Sequence, residues 1–382
     1  MHTEVNRDKK LTKDVSPSHE SYRVIIAGGG TGGHIFPAIA IANALKRLQP
    51  GVEILFVGAK GKMEMDKVPE AGYRITGLTI AGYDRGSLVK NFSLPVKLIK
   101  SFLEVNTVLK NFKPDAVVGV GGYSSFPVLR LAQIRKIPTF IHESNSLPGK
   151  SNMILGKRAT GIFVATDNME KYFPGKKIII TGNPVREELS VRIPKSESLR
   201  FFGLKENMQT VFVMGGSLGA KSINETIEEN IDLFKKNGLQ LIWQTGKLFS
   251  ERAAKIEEDR SNIWTNAFIN RMDHAYNAAD IVVARSGAMT IAELCTVGKP
   301  SILVPYPLAA EDHQLVNAMA LVGKNAARLV RDEEVKTSLM KQLLALAGDE
   351  IMMEDLRKNI AALGNPKADE MIVREILKNN KQ

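Results

Sequence analysis

The sequence predicts an α/β protein of two Rossmann-like, doubly wound domains facing each other across a cleft. Three observations predict it. An apolar strand, Tyr22 to Ala27, runs into Gly28-Gly29-Gly30-Thr31-Gly32-Gly33-His34 and then into a helical pattern that ends near Leu48. Strand, glycine turn and helix in that order form the opening unit of a doubly wound sheet. The same order restarts at Thr210 to Met214, followed by Gly215-Gly216-Ser217-Leu218-Gly219-Ala220 and a helix from Lys221. The 382 residues and 44% hydrophobic content suit two full cores.

The formal net charge is +11 and is unevenly placed. Residues 1–186 hold 27 Lys+Arg against 14 Asp+Glu, a net of +13, and the remainder holds 25 against 27, a net of −2. A basic half points to an anionic partner. No finger, basic helix or aromatic-basic RNA motif is present, so nucleic acid is not expected and an anionic membrane surface is. The single Cys295 forbids an intrachain disulfide, and it reads as a buried thiol on an apolar helix. Sparse cysteine and no signal-peptide pattern point to the cytoplasm, and no apolar run nears the ~18 residues of a spanning helix.

Residues 1–21 are polar and aperiodic and are expected to be a disordered leader. In the first loop, Gly28, Gly30 and Gly33 satisfy G-x-G-x-x-G, which keeps a dinucleotide enzyme open as an alternative. Two features weigh against it: no acidic residue ends the second strand, Glu53 to Gly58, and His34 stands at the helix entrance where a dinucleotide site wants bare backbone. An imidazole there, with an ordinary pKa near ~6.5, suits a general base; the bland alternative is a helix cap. From Met63 to Phe112 the pattern is irregular. Leu88, Val89, Phe92, Leu94, Val96, Leu98, Ile99, Phe102 and Leu103 alternate with Arg85, Lys90, Lys97 and Lys100, a mixture expected at a lipid surface or in ordinary amphipathic packing. Asp115 to Val120 is a strand ending in Gly121-Gly122-Tyr123, and Thr139 to Glu143 is one ending in His142-Glu143-Ser144-Asn145. Strand carboxyl ends face the ligand crevice in such sheets, so these loops converge with the first. Gly161 to Ala165 and Ile178 to Thr181 complete the sheet, and Gly182-Asn183-Pro184-Val185-Arg186 marks the domain boundary. An arginine at that hinge can pair with a diphosphate.

In the second half, Leu239 to Gln244 and Asn262 to Phe268 are strands, the latter leading to Ile269-Asn270. The apolar run from Asp280 to Ala284 turns on Ser286-Gly287 into a helix at about Ala288. That turn aims free backbone N–H groups and a helix dipole at one point, a place for phosphate. Glu293, further along the helix, can accept two hydrogen bonds from a ribose diol. Pro300 to Pro305 is a further strand, then come Glu311-Asp312-His313-Gln314 and a helical tail. No Asp-x-Asp pair and no Cys-His cluster signals a metal, and no cofactor is expected.

Gly-Gly-Thr-Gly-Gly-His at 29–34, Gly-Gly-Tyr at 121–123, His-Glu-Ser-Asn at 142–145, Gly-Asn-Pro-Val-Arg at 182–186, Gly-Gly-Ser-Leu-Gly-Ala at 215–220, Arg-Ser-Gly-Ala-Met-Thr-Ile-Ala-Glu at 285–293 and Gln314 occur in this order. From Tyr22 to about Leu377 the chain resembles the MurG family of bacterial N-acetylglucosaminyltransferases. The resemblance implies a GT-B fold and inverting transfer of GlcNAc from UDP-GlcNAc to the C4 hydroxyl of undecaprenyl-diphosphate-MurNAc-pentapeptide. It further implies a peripheral seat on the cytoplasmic face of the inner membrane, near other cell-wall synthesis and division proteins. By the same resemblance Thr31, Gly32, Gly33 and Asn145 lie near the donor sugar, Arg186 and Ser217 at the diphosphate, and Ile269 at the uracil. Ala288, Met289 and Thr290 contact diphosphate and sugar, Glu293 the ribose, and Gln314 a sugar hydroxyl. His34 is the candidate base, with Glu143 assisting. The chain departs from some members in having Ser144 in place of Gln, and Asp312-His313 before Gln314. Domains are expected at 22–186 and 187–361, with the C-terminal helix at 362–382 joining the first. A UDP-GlcNAc 2-epimerase of the same fold is the alternative enzyme, and a non-catalytic membrane adaptor the alternative of another class.

Overall fold

The computed structural model describes residues 21–80, 94–216, 218–309 and 312–379. The leader up to residue 20, the apolar and basic residues between 85 and 92, and Ser217 lie outside the described residues.

Seven parallel strands form the first sheet: β1 (Arg23–Ala27), β2 (Glu53–Ala59), β3 (Arg74–Leu78), β4 (Ala116–Gly119), β5 (Thr139–Glu143), β6 (Gly161–Val164) and β7 (Ile178–Ile180), in the order β3-β2-β1-β4-β5-β6-β7. Six more form the second: β8 (Gln209–Met214), β9 (Leu239–Gln244), β10 (Ile263–Asn266), β11 (Ile281–Ala284), β12 (Ser301–Leu303) and β13 (Arg328–Leu329), in the order β10-β9-β8-β11-β12-β13. The strands β1, β4, β6, β8 and β11 carry apolar runs because helices cover both faces of a parallel sheet. Val24, Ile25 and Ile26 are wholly buried, as are Val211, Phe212 and Val213. The edge strands β3 and β13 have no such run. β3 is Arg-Ile-Thr-Gly-Leu at a sheet edge, and β13 is two residues at the other sheet's edge. An edge strand needs less apolar surface, and neither is visible as an apolar run in the sequence.

Strand order reverses between β1 and β4 and again between β8 and β11. Those are the places where an open α/β sheet leaves a crevice at its carboxyl ends. The chain passes between the domains twice. After β7 it runs through Gly182 to Arg186 into the second domain. It returns through 362–367 to the helix Ala368–Lys378, which buries Ile372, Val373 and Ile376 in the core of the first domain against the helix Gly32–Leu48. The two crossings touch: the Asn365 side-chain amide donates to the Thr181 carbonyl at 2.7 Å. Arg47–Asp369 at 2.9 Å and Lys177–Glu375 at 2.7 Å hold the returning helix at its rim. Among the described residues no helix is long and apolar enough to cross a membrane.

Candidate active site

The first domain brings three loops to the switch point. Gly28 and Gly29 stand at the end of β1, where a Cβ on Gly28 would strike Val120 and the Gly121 carbonyl, and one on Gly29 would strike the Glu64 carboxyl. Glu64 carries no mark of a role in the sequence. It is 1% exposed and accepts from the Gly30 N–H at 2.7 Å and the Ala59 N–H at 2.9 Å, fixing the glycine loop from beneath. Its sequence surroundings, Met-Glu-Met-Asp after a lysine-glycine turn, look like an ordinary solvated helix start. Only the fold reveals the burial.

His34 lies in the first turn of the helix Gly32–Leu48, whose N-cap, Thr31, makes no side-chain cap bond. Its Nδ1 is 3.0 Å from the Gly29 carbonyl and 3.4 Å from the Thr31 hydroxyl. A carbonyl only accepts, so Nδ1 carries the hydrogen and Nε2 keeps its lone pair. The other side of the ring rests on Gly121 at φ +97°: a Cβ there would lie 2.7 Å from both Cδ2 and Nε2. The His34 pKa is lowered. Burial is the largest cause and the charge of His313 adds to it, against the opposing charges of Glu143 and Glu64 and the Gly29 hydrogen bond. The imidazole is therefore neutral at pH 7 and able to accept a proton.

Glu143 ends β5 and is 4% exposed. One oxygen accepts from the Asn145 N–H (3.0 Å) and side-chain amide (3.4 Å), and the other from Gly149 N–H (3.1 Å) and the Asn152 amide (2.8 Å). Both oxygens are thus committed to shaping the loop that carries Asn145. Glu143 reaches His34 through its charge, with no hydrogen bond between them in the structure. His142, wholly buried beside it, is pushed down to about 4 chiefly by desolvation and stays neutral.

Across the gap, the helix Ala288–Val297 starts at Gly287 with no side-chain cap, so the amides of its first turn point outward unpaired by any capping group. The helix Lys221–Glu229 behind the second glycine loop likewise lacks a side-chain cap. Two uncapped N-termini at the carboxyl ends of β8 and β11 make an anion-binding corner. Arg285 points away from it into a brace, with Asp332, the Val304 and Pro305 carbonyls and the Ser222 hydroxyl as partners. Met289 is buried beneath the turn, while Ala288 and Thr290 are half-buried. Gln314 is tied to the same corner: its carbonyl accepts from the Ser286 hydroxyl at 2.8 Å and its Oε1 from the Tyr306 N–H at 3.0 Å. Ile269 is buried, and its N–H donates to Gln244 Oε1 at 3.0 Å, while the Gln244 amide donates to the Gly216 carbonyl at 3.1 Å. Gln244 thereby couples the second glycine loop to Ile269, a link with no tag in the sequence.

Glu293 is 5% exposed. The Tyr276 hydroxyl donates to its Oε2 at 2.9 Å, and Arg186 Nε stands 3.5 Å from its Oε1. Burial raises the Glu293 pKa, with Arg186 and Tyr276 opposing. Arg186 also lies over the Phe36 ring at 4.2 Å, and its Nε has no hydrogen-bond partner. It thus bridges the two domains with donor capacity left over. Asn183, just before it on the same crossing, donates to the Ser144 carbonyl at 3.0 Å and the Ala288 carbonyl at 3.4 Å. Asn317 accepts from the Ser146 N–H at 3.4 Å and donates to the Ser286 carbonyl at 3.4 Å. These two asparagines hold the Asn145 loop against the turn that opens the helix Ala288–Val297. The structure so gathers Thr31, Gly32, Gly33, His34, Glu143 and Asn145 on one wall and Arg186, Ile269, Ala288, Met289, Thr290, Glu293 and Gln314 on the other.

A neutral imidazole facing an anion-binding corner across two nucleotide-type domains defines a glycosyltransferase of the GT-B type. Residues 24–164 match the glycosyltransferase family 28 N-terminal domain and residues 210–370 its C-terminal domain. A protein of Parabacteroides distasonis named UDP-N-acetylglucosamine–N-acetylmuramyl-(pentapeptide) pyrophosphoryl-undecaprenol N-acetylglucosamine transferase is 48% identical over 94% of this chain and 98% of its own. The crystal structure of Acinetobacter baumannii MurG superposes with a TM-score of 0.74 at 27% identity, covering 94% of this chain and 99% of that one. The chain belongs to glycosyltransferase family 28 and, within it, to the MurG family. A UDP-GlcNAc 2-epimerase from Neisseria meningitidis, solved bound to UDP-GlcNAc, shares the fold at a TM-score of 0.66 over 94% of this chain and 100% of its own, but only 16% of the sequence. That likeness is one of fold alone, and the transferase reading stands over the epimerase.

Proposed function

We propose that the chain moves GlcNAc from UDP-GlcNAc to the C4 hydroxyl of undecaprenyl-diphosphate-MurNAc-pentapeptide with inversion at the anomeric carbon. The observation that carries this reading is His34, held neutral with its free Nε2 on the wall facing the uncapped turn at 287–290. Nε2 takes the hydroxyl proton as the acceptor oxygen bonds to C1 of GlcNAc. The bond from C1 to the phosphate oxygen breaks on the opposite face, and its electron pair leaves with UDP. The helix N-termini and Arg186 stabilise the departing diphosphate, the usual largest contribution in such a site. Glu293 takes the ribose, with Arg186 swinging from it to the diphosphate. Thr31, Gly32, Gly33 and Asn145 frame the sugar, and Gln314 and Thr290 take its hydroxyls. Measuring UDP release from UDP-GlcNAc with and without the lipid-linked acceptor tests this. Release only with acceptor is expected, while conversion of UDP-GlcNAc alone would favour an epimerase.

The same reading places the protein on the cytoplasmic face of the inner membrane, where the cell-wall and division machinery works. Support comes from the helix Leu94–Phe112, on which Val96, Ile99 and Leu103 stand 64–69% exposed along one face beside Lys97 and Lys100. An exposed apolar stripe with cations beside it suits anionic lipid. Sedimentation with phosphatidylglycerol vesicles should fall when Val96, Ile99 and Leu103 are all changed to Glu; unchanged sedimentation would refute the seat.

A further inference from the structure

Beside the reaction centre, sharing Ala288 with it, lies a cavity of about 780 Å³ that otherwise stands outside the roles above. It opens off the Asn145 loop at Ser144 and Ser146, passes under the first crossing at Gly182 and Asn183, and is closed on the far side by the second crossing at 363–365. Its first-domain wall is built from the carboxyl ends of β5, β6 and β7, and its second-domain wall from one face of the helices Ala288–Val297 and His313–Val322. Its size falls in the ordinary range of ligand pockets, ~300–1,000 Å³. The wall mixes alkyl groups, such as Ile291 and Leu363, with hydrogen-bonding ones, and Lys171 and Lys324 line it from opposite domains. Two of its lining residues, Thr166 and Asn183, carry side-chain oxygens that are buried and without a hydrogen-bond partner.

We propose that this cavity is the subsite for the peptide stem of the acceptor; the inference rests on the transfer reading above. In a MurNAc ring the C1 substituent and the C4 hydroxyl are at opposite ends, and the peptide hangs from C3, next to the reacting oxygen. C1 and C3 lie on different sides of the ring, so lipid and peptide diverge and leave the reaction centre by separate exits. The sheet order sets β3 at one end and β5, β6 and β7 at the other, with His34 over β1 and β4 between them. The apolar, basic face of Leu94–Phe112 is at the β3 end, where Glu104 accepts from the Thr79 N–H at 2.7 Å. The cavity is at the β7 end. A peptide brings amide donors for unpartnered oxygens and a terminal carboxylate for the two lysines, while the alkyl lining accepts its small apolar side chains.

The test compares two short-prenyl diphosphate acceptors, one carrying MurNAc-pentapeptide and one carrying MurNAc without peptide, in a UDP-release assay. Lys171→Glu combined with Lys324→Glu should raise KM for the peptide acceptor roughly tenfold, the scale of one lost charge-assisted contact. It should leave KM for the peptide-free acceptor and for UDP-GlcNAc within about twofold. Ala320→Trp, an exposed position on the cavity wall, should discriminate against the peptide acceptor in the same sense by filling the space, and it stands as an independent variant should the double charge reversal fold poorly. Equal effects on both acceptors, or no effect on either, would overturn the subsite alone. No UDP release by the unaltered chain with either acceptor would overturn the transfer reading and the subsite with it.

Discussion

Gly121→Ala is the sharpest probe of the imidazole. The added methyl would sit 2.7 Å from His34 Cδ2 and Nε2, where carbon normally keeps about 3.4 Å or more from such atoms. It would also sit on a backbone at φ +97°, a region that L side chains rarely adopt. The three atoms nearest that methyl all belong to the His34 ring, so the ring is the first thing that has to give. Relief of about 0.7 Å moves Nε2 off its line or breaks the 3.0 Å bond that fixes its tautomer. A displacement near 1 Å costs on the order of 10²-fold in rate, while the backbone strain costs roughly 1–2 kcal/mol of stability. UDP-GlcNAc-dependent UDP release should show kcat down about a hundredfold. UDP affinity by calorimetry should be unchanged, because the grip proposed for UDP lies on the other wall. The double variant with His34→Ala should be no slower than His34→Ala alone, since both changes act through one group. A folded Gly121→Ala protein with near-normal kcat, or one whose defect adds fully to that of His34→Ala, would refute the placement of the base.

His34→Ala itself should lower kcat by ~10²–10⁴ with little change in donor KM, read in the same assay. Because burial lowers the His34 pKa, kcat/KM should hold constant down to below the ordinary histidine value near ~6.5 and then fall; its neutral form likewise gives stability that is present above that value and lost as pH drops through the depressed one. Glu293→Gln should weaken UDP binding by roughly 10–100-fold, the loss of a charge-assisted bond worth ~1.5–3 kcal/mol. Since the folded pKa of Glu293 is raised, its ionisation costs stability above the ordinary carboxylate range, so the Gln variant should melt no lower, and at neutral pH higher, by calorimetry. Glu64→Gln places an amide against the Gly30 or Ala59 N–H and should lower both melting temperature and kcat, because a donor then meets a donor.

Most central strands were legible because a parallel strand covered on both sides is largely apolar, and Val211 to Val213 or Ile281 to Ala284 can hardly be read as anything else. The glycine turns were legible for a related reason: at Gly28 and Gly121 the neighbouring backbone and ring leave no room for a Cβ, and sequence records such exclusion directly. What escaped was chemistry that depends on burial. Glu64, Gln244 and Asn183 are ordinary polar residues in the chain, and each becomes structural only when folding removes its water and leaves loop amides or carbonyls as partners. Glu143 is the instructive case. From sequence it is a carboxylate two residues before an expected sugar contact, and a second acid-base group is the natural reading. Folded, both its oxygens are occupied by donors of the loop that carries Asn145. Its negative charge still holds the His34 pKa up against desolvation. The carboxylate thus works on the imidazole from a distance, through its charge, while its oxygens hold the loop beside it.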